Sequence, residues 1–505
     1  MSRVSDHRRA HGQFFTPTPV VACCYDLLAG ELAPGARIVD PACGDGAFLR
    51  AALERGLAPP EHLHGCDIDP ALVALLQTEG LARVALADGL DPDSQPAAAF
   101  DLVVGNPPFG VATSERGGRA MPSEVRFLLR ALDLARPGGL VALVLPSGVL
   151  ANERLRPLRA GLLERASPLA VIALPRQTFS RAGTSALCSL VLLRRAPAPP
   201  GHPIFFASAA RLDDLPRLAA AYRSRTDEGQ TTNDERQTTN EGNASQCSML
   251  NAQCFWLPQS AALAERMDVA YWEPATRAML DRLAAGRPLR PLGELLEQPG
   301  GLIAGDHVRG SRGERKGAGL PYEYYQTRQF LPAGYNYAEL ERCDERAYRR
   351  LGYTAVQRHD ILVSCAGVGG AGRARVCLIT HSPGPSCTGD VLIVRAREPD
   401  PVFLFLLLRS RAGRAQLLRL QNGVGTVNLS VEELLRVQVP LLPPDRQRAY
   451  ADAYAPAAAA HDQAMAALRS GDQAGYEQAR AASELLLEQL TAALEGELGI
   501  ANYEL

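Results

Sequence analysis

Asn106-Pro107-Pro108-Phe109 is the stretch of this sequence with the most definite chemistry. It follows the apolar run Phe100–Gly105, which reads as a strand. Two prolines after a strand end stiffen an extended backbone and remove two amide donors, so the carbonyls there stand as fixed acceptors. Asn106 adds a side-chain carbonyl, and Phe109 adds a flat ring able to stack on a base. The set suits methylation of a conjugated exocyclic amine, whose lone pair is delocalised into its ring. Accepting both N–H protons, at the Asn106 side chain and the Pro107 carbonyl, favours a tetrahedral nitrogen that attacks an electrophilic methyl in line. A rigid proline turn without chemistry is the alternative that the tetrapeptide alone leaves open.

A second constellation lies upstream. Asp40-Pro41-Ala42-Cys43-Gly44-Asp45-Gly46 follows a strand and opens a helix, so Gly44 and Gly46 let the backbone approach a ligand closely. No Gly-Lys-Ser/Thr ending and no full GxGxxG is present, and Asp40 and Asp45 would repel a phosphate. Those carboxylates suit a ligand carrying an ammonium and a sulfonium. The next strand ends in Asp67-Ile68, where a carboxylate about 20 residues after a glycine loop is placed for ribose hydroxyls. A third ends in Asp88-Gly89, where the carboxylate can accept from an adenine amino group. Any one of these is a candidate helix cap. Three at successive strand ends are harder to explain that way.

The elements that must hold these residues follow from the pattern. Short apolar runs at Ala36–Asp40, Leu63–Asp67, Arg83–Ala87, Asp101–Gly105, Leu140–Leu145 and Leu169–Leu174 alternate with helical stretches at Gly46–Arg55, Ala71–Thr78 and Glu124–Ala135. This predicts an α/β domain with a mostly parallel sheet, its ligand crevice at the carboxyl ends of the strands. Ser185–Leu193 reads as an antiparallel partner beside the last parallel strand. Composition then turns polar at residues 224–248, which reads as a flexible linker. The expected domains are residues 1–223, that linker, and a mixed α/β domain over 249–505 closed by helices, of which Ala474–Leu494 is the clearest.

Composition adds bounds. The formal charge of −2 gives no bulk argument for a polyanionic partner. Lys316 is the only lysine among 53 cationic residues, so any basic groove is built of arginine. The eleven cysteines lack the paired spacing of a metal site, and neither a signal peptide nor a long apolar span appears. The expectation is a cytoplasmic chain with no metal and no membrane association, its cysteines serving as core residues.

Residues 12–194 resemble the gamma class of DNA amino-methyltransferases, the TaqI-type adenine enzymes. The resemblance rests on Gly12-Gln13-Phe14-Phe15-Thr16-Pro17, the Asp40–Gly46 loop, NPPF and their order. It implies a Rossmann-like methyltransferase sheet with S-adenosyl-L-methionine as cofactor. Thr16 and Pro17 would lie over its methionine part, and Asp40, Ala42, Gly44 and Gly46 along the loop. Asp67 would hold the ribose, and Ile68, Asp88 and Gly89 the adenine. Asn106, Pro107, Pro108 and Phe109 would hold the target base, with Asn106 also at the cofactor. Gln177-Thr178-Phe179-Ser180 resembles a later motif whose aromatic, here Phe179, packs against a flipped base. Gly89 departs from the pattern, since relatives often carry a bulkier residue there.

The remainder resembles target recognition domains of type I specificity subunits, through Arg266–Trp272, Asp360–Ser364 before a Gly-rich turn, Gly389–Ile393, Pro401–Arg409 and Asn422-Gly423. Tyr322, Tyr324, Tyr325, Gln326, Arg328 and Gln329 form one candidate base-reading cluster; Arg373 and Arg375 form another. The resemblance implies double-stranded DNA as partner, with room for a separate restriction or defence subunit. The alternatives are an RNA or protein-glutamine methyltransferase and a specificity subunit without catalysis. No PD-(D/E)xK-like nuclease segment is visible.

Overall fold

Largely apolar runs of three to twelve residues build one side-by-side array of strands in a computed structural model of the chain. The model describes residues 15–110, 112–113, 121–179, 186–199, 201–231, 253–367, 373–380, 386–387, 389–422 and 428–501. They divide into two compact units, one running to Tyr271 and one from Trp272.

The first unit is built on a nine-stranded sheet. In chain order its strands are β1 (Ile38–Asp40), β2 (Leu63–Asp67), β3 (Val84–Leu86) and β4 (Phe100–Gly105). A two-stranded pair, β5 (Ala112–Thr113) and β6 (Met121–Pro122), stands outside it. Then come β7 (Ala135–Pro146), β8 (Ser167–Ala173), β9 (Cys188–Arg194), β10 (Pro203–Ser208) and β11 (Gln253–Pro258). The spatial order is β11-β10-β8-β9-β7-β4-β1-β2-β3. From β7 to β3 all neighbours are parallel. The antiparallel β9 lies between β7 and β8, bonded to both. The sequence paired it with the last parallel strand only; the insertion follows from its wholly apolar face pattern, buried from Cys188 to Leu193.

Four helices matter for the site: α1 (Thr18–Leu27), α2 (Ala47–Glu54), α3 (Pro70–Thr78) and α4 (Ser123–Leu134). The first begins at Pro17 and Thr18, with Pro at a position where a missing N–H costs nothing. Asp69 caps α3 through the amides of Ala71 and Leu72.

Two strands were not anticipated, and one boundary moves. β10 extends the sheet beyond β8 in parallel, and β11 pairs antiparallel with it from Pro203↔Pro258 to Ser208↔Gln253. Residues 224–231, read as linker, continue the helix Leu215–Thr231. Residues 232–252 lie outside the described residues. Arg266–Tyr271, read as the lead-in to the second domain, packs with the first unit. Met267 N–H donates to the Leu150 carbonyl at 2.8 Å, and the buried Arg159 donates to the Ala264 carbonyl at 3.0 Å. Arg266 and Asp268 form a buried bidentate pair, Nε–Oδ1 2.6 Å and Nη2–Oδ2 3.0 Å.

The second unit has a four-stranded antiparallel sheet in the order Leu302–Ala304, Val391–Val394, Ile361–Ser364, Val376–Leu378. A three-stranded sheet holds Glu341–Cys343, Tyr322–Tyr325 and Ser386–Cys387. The helix Pro401–Arg409 is buried on every side from Val402 to Leu408. Two long helices, Pro444–Ser470 and Gln473–Leu498, turn about Gly471 at φ 76°. Among the described residues no helix is long and apolar enough to cross a membrane. Among the described residues, eight cysteines are free and buried, as expected of core residues. Cys254 departs from that expectation, being disulfide-bonded.

Candidate active site

β1, β2, β3 and β4 lie side by side and parallel, so the residues that follow them share one edge of the sheet. Those residues are the loop after Asp40, Asp67-Ile68, Asp88-Gly89 and Asn106-Pro107-Pro108-Phe109. The carboxyl edge of a parallel sheet is where such folds bind ligands.

Asp40 closes β1 and is 1% exposed. Its Oδ1 accepts the Ala42 amide at 3.0 Å. A Cβ on Gly105 would lie 2.8 Å from the same oxygen, so Asp40 packs directly under the residue before Asn106. Burial raises the Asp40 pKa to about 8, against the Ala42 amide, which lowers it; Asp67 and Asp45 push it up further. Asp40 therefore holds the loop from behind and joins it to the end of β4. Gly46, at φ 75°, caps α2, and a Cβ there would lie 2.5 Å from Leu76 Cδ2, so this turn takes only glycine.

Asp67 receives two backbone amides, Gly44 N–H at Oδ2 (2.8 Å) and Asp69 N–H at Oδ1 (2.9 Å). One carboxylate thus ties the glycine loop to the end of β2. Each oxygen keeps lone-pair capacity for a further donor. Ile68 beside it is 57% exposed and Leu86 at the end of β3 is 59% exposed, two large apolar side chains at the rim of this edge. Asp88 is exposed and accepts the Leu90 amide at 2.9 Å. Gly89 is fixed by sterics: a Cβ would lie 1.8 Å from the Pro41 carbonyl oxygen. The departure from bulkier residues at this position is the condition for the loop after β3 to close on the loop after β1.

Thr16 and Pro17 lead into α1, and the Phe15 ring lies over the glycine loop, 3.7 Å from where a Gly44 Cβ would sit. Gly12-Gln13-Phe14 and Ser180 of the expected motifs lie outside the described residues. Phe109 is 7% exposed and Phe179 is 2% exposed, both in the core cluster of the first unit.

The side chains that hold the Asn106–Phe109 segment carry no motif in the sequence. Ser123 and Glu124, each 2% exposed, stand at the start of α4. Ser123 Oγ donates to the Pro108 carbonyl at 2.7 Å. Glu124 Oε2 accepts the Gly110 amide at 3.0 Å. Arg130, two turns on, donates to four carbonyls after β3: Gly89 (3.3 Å), Asp91 (3.1 Å), Pro92 (3.2 Å) and Gln95 (2.9 Å). A buried serine and glutamate opening a helix were the only signal available, and it is a weak one.

Acidic strand ends, a glycine loop and NPPF thus meet along one edge, and part of the chain that carries them is similar to known proteins. Residues 2–228 match the N-6 DNA methylase family.

The N-6 DNA methylase match contains the site residues described above, from Phe15 to Phe179. Defense against restriction protein B of Escherichia phage P1 is 27% identical over 191 residues, 37% of this chain and 8% of that protein. Type II methyltransferase M.TthHB8I of Thermus thermophilus is 35% identical over 106 residues, 20% of this chain and 22% of that one. The chain therefore spans under a quarter of the length of these curated relatives. Among solved structures, the type IIL restriction-modification enzyme MmeI in complex with DNA superposes with a TM-score of 0.51 at 12% identity, covering 94% of this chain and 72% of that one. That likeness extends the shared fold over both units.

In the second unit one expected cluster dissolves. Tyr324 and Tyr325 are fully buried and Gln329 is 7% exposed, so they are core rather than base readers. Arg328 is ion-paired with Glu341. Gly369, Gly370, Gly372 and Gly423 lie outside the described residues.

Proposed function

We propose that this chain transfers a methyl group from S-adenosyl-L-methionine to the exocyclic 6-amino group of adenine in duplex DNA. The observation that carries the reading is the placement of Asn106-Pro107-Pro108-Phe109 at the end of β4, one strand from the Asp40 loop and two from Asp67. The N-6 DNA methylase match over residues 2–228 supports it.

The residues present fit the cofactor. Its ribose suits Asp67, whose carboxylate is already oriented by two amides and retains acceptor capacity. Its adenine suits the exposed Ile68 and the narrow approach at Gly89. Two carboxylates, Asp45 and Asp67, favour a cationic ligand over a phosphate. When bound, S-adenosyl-L-methionine supplies an electrophilic methyl on a sulfonium.

The chain's own part is positioning. Asn106 Oδ1 and the Pro107 carbonyl accept the two amine protons, which draws the nitrogen lone pair out of the ring. Ser123 occupies the Pro108 carbonyl, which fixes the orientation of the segment and leaves the Pro107 carbonyl to the substrate. Phe109 stacks on a base taken out of the duplex, and Phe179, in the same core cluster, is the second aromatic assigned to it. Preorganised acceptors of this kind are worth about 3–4 kcal/mol each in comparable sites. The second unit supplies target recognition, and the activity belongs to DNA modification in a restriction or phage-defence setting, alone or with a separate subunit.

Asn106→Ala tests the assignment. The expected result is a fall in methyl transfer of at least about 100-fold, with S-adenosyl-L-methionine affinity in calorimetry within about threefold of the parent. Equal loss of cofactor affinity would mean that Asn106 serves the cofactor and not the base.

A further inference from the structure

In the second unit a cavity of about 560 Å3 opens between the strand Val376–Leu378, the helix Arg411–Arg419 and the helix Gln473–Leu498. Arg373, Arg375, Arg409, Arg411 and Arg414 line it, against Glu488 and Glu495. Among the described residues no asparagine or glutamine lines it, and Phe330, Leu331 and Pro332 also line it.

These charges are poorly neutralised. Glu495 is already engaged, its Oε1 accepting the Arg411 amide at 2.7 Å and its Oε2 3.5 Å from Arg411 Nε. Arg409 donates to the Pro332 carbonyl, and its desolvation lowers its pKa. Arg373, Arg375 and Arg414 have no carboxylate within 4.0 Å among the described residues. Two other arginines of this unit sit in an ion network: Arg312 and Arg350 meet Asp306 at 2.9 and 2.6 Å, and Arg350 meets Glu314 at 2.5 Å. The contrast separates a structural ion network from a surface kept positive. Ala374, between Arg373 and Arg375, has φ 47°, a conformation uncommon for a residue with a side chain. It marks a locally forced backbone between two cavity arginines.

Convergent guanidinium forks with no amide side chains match phosphate oxygens better than base edges, which are read by Asn and Gln as well as Arg along a groove. We propose that this cavity grips the phosphodiester backbone of duplex DNA through Arg373, Arg375 and Arg414, and reads no base. This corrects the expectation that Arg373 and Arg375 read sequence, and it rests on the DNA methyltransferase reading.

The test is the salt dependence of duplex binding by the full chain, measured for the parent and for Arg373→Gln/Arg414→Gln. Both side chains are exposed, so the core is untouched. Each lost phosphate contact lowers the slope of log K against log salt by about 0.9, so the double variant loses about 1.8. Arg373→Lys/Arg414→Lys, which keeps the charge, restores the slope, and the set of methylated sequences stays the same throughout. An unchanged slope in the Gln variant, or a changed set of methylated sequences, overturns the proposal. A parent chain that binds DNA steeply but methylates none of it overturns the enzymatic reading alone; one that binds no DNA overturns both.

Discussion

Asp40 sits at the junction of the two loops that matter, with one oxygen on the Ala42 amide and Gly105 packed against it. Burial holds its carboxyl neutral, with a pKa raised to about 8, whereas the unfolded chain loses that proton near pH 4. The folded state therefore carries one more proton than the unfolded state between about pH 4 and 8, and stability from this group falls as pH rises through that window. Asp40→Asn, which keeps the acceptor for Ala42, should flatten the dependence by up to about 1.4 kcal/mol per pH unit. Urea midpoints at several pH values for parent and variant measure the difference, and identical slopes would place the titration elsewhere. At this scale the sequence was readable wherever chemistry is local: Asp67, Gly89 and Asn106 all lie at strand ends. It misled at Tyr324 and Tyr325, which look like polar contact residues in a loop. In the fold they point to opposite sides of one strand, into two separate core clusters, so both faces are buried.

α4 is the element that turns a strand end into a site. Its first turn holds the segment after β4 through Ser123 and Glu124, and Arg130 holds the loop after β3. Glu124→Ala leaves the Gly110 amide without its acceptor, which should cost about 1–3 kcal/mol of stability. It should also lower the transfer rate more than it weakens cofactor binding. Glu124→Gln keeps an acceptor oxygen and should recover most of both. Thermal melts with single-turnover transfer check this pair, and a rate unaffected in a well-folded Glu124→Ala would remove α4 from the positioning of the loop. The helix itself was legible from its apolar spacing, but its contacts to residues 14 or more positions away were not. β10 and β11 escaped for the same reason. β10 follows a proline-rich stretch, and its partner lies across a polar segment, so no local period announces the pair.

At the scale of the whole molecule, a nine-stranded sheet ending at β11 forms one unit and a mixed unit follows from Trp272. The alternation of runs was enough to give the α/β class and six of the parallel strands. Composition alone placed the division at 224–248, because it detects polarity; the sheet places β11 with the first unit because Phe205 and Trp256 pack together at 5.1 Å. A near-neutral total with nearly all-arginine cations is compatible with a local positive surface such as the Arg373–Arg414 cavity. The most direct measurement supplies the full chain with methyl-labelled S-adenosyl-L-methionine and, in parallel, duplex DNA of diverse sequence, RNA and cell protein, then digests the products for nucleoside and amino-acid analysis. The account predicts N6-methyladenine in duplex DNA, at a restricted set of sequences. Label in RNA or protein with none in DNA, or label recovered as N4-methylcytosine, would contradict it.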